Sequence, residues 1–99
     1  MSLEPWTLVG QHASVRFTLV ADVSPGLLPR LLQPFAKRDL TPDALESRRV
    51  DGALRVEIAM AAMPAEMVHM IEGNLAQVVG VRSVTRQQEV TGRVQRRAA

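Results

Sequence analysis

The 99-residue sequence has no cysteine and no tyrosine, and only two histidines, two phenylalanines and one tryptophan. Without cysteine there is no disulfide, no thiolate nucleophile and no zinc–thiolate site. Two histidines leave little for acid–base or nucleophilic chemistry. A single lysine, Lys37, stands among twelve basic residues, and ten acids nearly balance them. The formal net charge is only +2 although the pI is near 10.4; nucleic-acid modules usually carry a larger and more clustered excess. The N-terminal residues show neither a basic stretch nor an apolar run of signal length, so the cytoplasm is the expected location.

What is present is the composition of one soluble domain: 46% hydrophobic, 22% charged, mean hydropathy +0.02. A chain of this size buries about 65% of its unfolded surface on folding, one small core that is marginal by itself. Residues 1–12 read as an N-terminal arm carrying Trp6, 13–88 as a single domain, and 89–99 as a basic C-terminal tail. A lone tryptophan is costly to leave in water, so the arm is expected to pack on the core or on a partner.

Over 15–21 the pattern alternates, with Val15, Phe17, Leu19 and Ala21 on one face and Arg16, Thr18 and Val20 on the other: a half-buried strand. Ser24 then reads as an N-cap with Pro25 at the first helical position, opening a helix to about residue 38. Its apolar face comprises Leu27, Leu28, Leu31, Leu32, Phe35 and Ala36, opposite Arg30, Gln33 and Lys37. Pro29 and Pro34 predict a kink or a late start. A linker over 40–43 leads to a weaker strand over 44–50. Asp51-Gly52 supplies the two positive-φ positions of a type I′ turn, and 53–60 alternates again. Pro64 is expected to open a second helix to about residue 79. Met63, Met67, Met70, Ile71, Asn74, Leu75 and Val78 lie on its inner arc, and Glu66, His69, Glu72 and Gln77 outside it. Gly80 follows as a left-handed stop, and 81–86 begins a last strand.

The order β-α-β-β-α-β predicts an α+β, ferredoxin-like split βαβ fold: a four-stranded antiparallel sheet with two helices on one face. Its other face is left open. A homodimer or small even oligomer covering that face, with Val20 and the Trp6 arm contributing, is the expected assembly.

Catalytic constellations are weak. Glu66-x-x-His69-x-x-Glu72 brings ionisable groups to helical neighbours, but a convex helix face offers a substrate no enclosure, and surface solvation is the simpler reading. His12 stands alone and reads as a backbone contact. Ser24 lacks a nucleophile elbow. Gly52, Gly73 and Gly80 fit neither a phosphate loop nor a dinucleotide fingerprint. No catalytic residue, metal or cofactor is expected. Arg48, Arg49, Arg55, Arg82 and Arg86 keep an RNA-binding sheet in view as an alternative, yet no aromatic is free to stack bases on it. The loop over 22–27 is the remaining candidate. A helix start can hold a carboxylate, Gly26 permits close approach, and Asp22 can accept from an ammonium, a combination that fits an α-amino acid.

The strand over 15–21, the run Asp22-Val23-Ser24-Pro25-Gly26-Leu27-Leu28-Pro29-Arg30-Leu31-Leu32 and Phe35-Ala36-Lys37-Arg38 resemble the opening of an ACT domain, the small module that senses amino acids in biosynthetic enzymes. The resemblance continues to Val84 and is most like the short regulatory subunits of acetolactate synthase, the thiamine-diphosphate enzyme that begins branched-chain amino-acid synthesis. It implies a non-catalytic regulatory protein with a catalytic large subunit as partner. It also implies a branched-chain amino-acid effector held by Asp22, Val23, Ser24, Gly26 and Leu27. Free-standing dimeric ACT-like proteins without a small-molecule ligand are the other outcome that the resemblance allows.

Overall fold

Alternation from His12 to Asp22 places Ala13, Val15, Phe17, Leu19 and Ala21 inward, all essentially inaccessible. This strand, β1, is the spine of the fold in a computed structural model that describes residues 11–90. The expected arm, apart from Gln11 and His12, and the tail beyond Val90 lie outside the described residues.

After β1 come α1 (Leu27–Ala36), β2 (Ala44–Val50), β3 (Ala53–Pro64), a 3-10 turn (Ala65–Met67), α2 (Val68–Ala76) and β4 (Val81–Val90). The sheet order is β2-β3-β1-β4, every neighbour antiparallel. That is the ferredoxin-like arrangement expected from the element order. Register aligns Phe17 with Ile58 and Leu19 with Val56, so one face of the two central strands carries an unbroken apolar surface. Leu27, Leu31 and Phe35 of α1 and Val68, Ile71 and Leu75 of α2 complete the core. Phe35 meets Phe17 edge-on, with ring centroids 6.0 Å apart, and so seats α1 on the middle of β1.

Several boundaries differ from the sequence expectations, each for a local reason. Ser24 does not cap α1: the N-cap is Gly26 and no side chain bonds into the helix start. The Ser24 carbonyl instead accepts from the Leu27 amide at 3.2 Å, closing a turn before the helix begins. Pro29 falls in the first turn, where its missing N–H costs no helical bond, while Pro34 is buried inside the helix. Past the end of α1 at Ala36, the chain turns away at Asp39, whose φ is 56°. Its amide bonds the Ala36 carbonyl, and the Leu40 amide reaches back to Phe35, so a Schellman closure is built on aspartate where glycine is usual.

Pro64 ends β3 with an extended ψ of 125° instead of opening a helix, and α2 is correspondingly shorter than expected. The shift rotates the buried face onto Val68, leaving Met70 46% exposed. There its thioether meets the Arg38 guanidinium, 2.7 Å from Nη2. Leu32 likewise lies outside the buried face of α1. Gly80 has positive φ as expected, 97°, but it belongs to a turn closed by the Val81 amide on the Val78 carbonyl and does not cap α2.

Candidate hollow beside the first helix

The loop between β1 and α1 and the β2–β3 hairpin border a shared hollow, and the five residues expected to hold an effector divide around it. Leu27 is fully buried in the core, and its amide is already bonded to Ser24. Its side chain faces the core beneath the helix, away from the loop surface. Gly26 has an ordinary φ of −90°, and its missing Cβ serves a neighbour: a Cβ there would stand 2.7 Å from Nη1 of Arg30. Arg30, expected on the solvent side of the helix, folds back over the helix start. Its Nη2 donates to the Val79 carbonyl at 3.5 Å, and its buried Nε has no acceptor among the described residues. Asp22 is engaged as well. Its Oδ1 accepts from Nε and Nη2 of Arg82 at 2.7 and 2.6 Å, both side chains more than half exposed.

Val23 and Ser24 do face an opening. With Pro25, Leu28, Ser47, Arg49 and Leu54 they line an open hollow of about 500 Å³. Its position follows from strand alternation: Ser47 and Arg49 lie opposite Val56 and Leu54 in the β2–β3 ladder, on the side of the sheet that carries the helices. The hollow thus joins an apolar wall to one guanidinium and two hydroxyls. That combination can take a small molecule bearing a carboxylate and an apolar chain. Sequence alone places Arg49 in a basic cluster around the hairpin and gives no reason to single out Leu28, Ser47 or Leu54 as ligand contacts. The available signal was the parity of the strand over 44–50, which puts Arg49 and Arg48 on opposite faces.

The remaining ionisable groups are dispersed. Arg86 is turned to the helix side and pairs with Glu72 at 2.9 Å, tying α2 to β4. Glu66 and His69 are exposed, and among the described residues no three His, Asp or Glu side chains are grouped to hold a metal ion. Phe17 and Phe35 are buried, so among the described residues the open sheet face carries no aromatic. No helix of the described residues is long and apolar enough to cross a membrane.

Solved structures share this architecture at low identity. A homoserine dehydrogenase from Thiobacillus denitrificans superposes with a TM-score of 0.69 at 15% identity over 82% of this chain, which spans only 18% of that enzyme. The ACT domain of a GTP pyrophosphokinase from Chlorobium tepidum gives 0.63 at 16% identity, covering 77% of this chain and 86% of that one. An uncharacterised protein of Thermotoga maritima gives 0.61 at 13% identity, covering 78% and 96%. At these identities the likeness is one of fold. No curated protein matches the chain. The sequence profile described as an ACT-like domain does match, over residues 9–92, and with nearly the whole chain inside that span the protein belongs to the ACT-like domain family.

Proposed function

We propose that the chain is a non-catalytic regulatory module that senses a small apolar amino acid in the hollow between the β1–α1 loop and the β2–β3 hairpin. The observation carrying this reading is the hollow's lining, in which Arg49 stands beside the apolar side chains of Val23, Leu28 and Leu54. Arg49 takes the carboxylate, the hydroxyls of Ser24 and Ser47 accept from the ammonium, and the apolar wall takes a branched chain. This assignment moves the anion partner from the helix start to the hairpin. Asp22, whose charge Arg82 already offsets, supplies no direct contact.

Membership of the ACT-like family supports the regulatory half of the reading, and the fold shared with the GTP pyrophosphokinase ACT domain accords with it. The enzyme partner is its finer part: acetolactate synthase, from the sequence's resemblance to that enzyme's regulatory subunits. An RNA-binding sheet is disfavoured by the lack of described sheet aromatics and by the turning of Arg86 to the helix side.

Calorimetry with valine, leucine and isoleucine tests the site. Arg49→Gln should weaken binding by at least about tenfold, since a charge-assisted hydrogen bond contributes about 1.5–3 kcal/mol. His69→Ala, on an exposed helix position, should leave it unchanged. Binding that survives Arg49→Gln at full affinity would place the effector elsewhere. The partner is tested by assaying acetolactate synthase with and without the chain, and an unaltered rate and effector response would remove that assignment.

A further inference from the structure

On the open face of the sheet, the side chains form rows whose charges alternate along the strands. In the β2–β3 ladder Glu46 lies opposite Glu57, and two residues on Arg48 lies opposite Arg55. Register with β1 continues the rows: Thr18 stands beside Glu57 and Val20 beside Arg55. Like charges therefore sit directly across from one another in both rows, an arrangement that destabilises an isolated sheet. Among the described residues the relief is one long contact, 3.8 Å between Arg55 and Glu57 of the same strand.

The same rows are complementary to themselves. A half-turn about an axis lying across the strands, between the glutamate row and the arginine row, lays Glu46 on Arg48 and Glu57 on Arg55 of a second copy. The flanking rows obey the same operation. Ala44 meets Val50, and Ala59 meets Ala53. On β1, Thr18 meets Val20, while Arg16 meets an Asp22 that Arg82 of its own chain already pairs, so that end of the row adds no new charge pair. Acid falls on base along β2 and β3, and small or apolar falls on small or apolar beside them, which is what an isologous two-fold interface requires.

We infer that the open face is a self-association surface, covered by a second copy of this chain packed sheet to sheet with the glutamate row of each copy on the arginine row of the other. Sheets packed face to face lie about 10 Å apart, a gap that an arginine and a glutamate reaching from opposite sides can close. A partner of single charge sign is disfavoured, because half of the rows would repel it; a nucleic-acid backbone would meet Glu46 and Glu57. The surface is distinct from the proposed effector hollow, since Ser47 and Arg49 lie on the helix side of the same hairpin. Failure of either proposal therefore leaves the other standing.

The test uses the full chain and two double variants, Glu46→Arg with Glu57→Arg and Arg48→Glu with Arg55→Glu, in sedimentation equilibrium at micromolar concentration. Circular dichroism melts establish that each variant is folded. The wild type should sediment as a dimer that weakens with added salt. Each variant alone, presenting one sign of charge to its own copy, should lose self-affinity by at least about a hundredfold, in line with the coupling of close interfacial charge pairs. Mixed in equal amounts, the two variants should recover the dimeric mass, because each then faces its complement. A monomeric wild type, a variant that dimerises as well as the wild type, or a mixture that stays monomeric would overturn the inference.

Discussion

Asp39 holds the left-handed conformation that turns the chain away after α1, at φ 56°. Aspartate tolerates this region better than most residues, but glycine enters it without a Cβ penalty. Asp39→Gly should therefore raise stability by about 0.5 kcal/mol, the relief of strain exceeding the added freedom of the unfolded chain. A thermal melt would register this as an upward shift of a few degrees. A lower midpoint would mean that the aspartate side chain contributes a bond of its own. Gly26 offers the opposite case. Its conformation is open to any residue, and what its bare Cα accommodates is the guanidinium of Arg30, four residues along the chain.

At the scale of elements, β3 carries an irregularity that Asp43 supports. Register between β1 and β3 shifts after Met60, so that Ala13 pairs with Met63 while Val15 pairs with Met60. The Ala61 amide bonds Oδ2 of Asp43 at 2.6 Å, and the Asp43 amide bonds the Ala59 carbonyl at 2.9 Å. A residue that reads as linker thus holds the bulge and the entry to β2. Asp43→Ala should cost about 1–2 kcal/mol, the range for losing a charged acceptor where water can partly replace it. Urea denaturation should show a lower midpoint with an unchanged slope, and an unchanged midpoint would refute the role.

Across the whole molecule, protection is graded by position in the sheet. β1 and β3 are central, with their inward residues buried, whereas β2 is an edge strand exposed along most of its length. Amides of β1 should exchange with solvent only through near-global unfolding, and those of β2 through local opening, orders of magnitude faster. Hydrogen exchange followed by mass spectrometry measures the difference. Equal protection of β2 and β1 would mean that another strand covers the β2 edge, an assembly different from the face-to-face pairing inferred above.

Strand periodicity and turn chemistry are local, and the sequence alone determined what depends on them. Alternation over 15–21 and 53–60 identified the inward residues. Asp51-Gly52, at φ 52° and 78°, required the two-residue hairpin that carries β2 against β3. The element order then left the ferredoxin-like sheet as the compact solution. Features set by how those elements meet were decided by the tertiary structure. Pro64 is compatible with the end of a strand or the start of a helix, and a bulged strand paired to β1 selected the first. The buried arc of α2 depended on where the helix began, which moved Met70 out and Val68 in. The candidate hollow draws on residues 23–28 and 47–54, segments remote in sequence, so no local pattern reports that Arg49 stands beside Val23 and Leu28. Likewise the parity of Glu46, Arg48, Arg55 and Glu57 is written in the hairpin, but only the long-range register of β1 sets Thr18 and Val20 beside those rows and extends the self-complementary face.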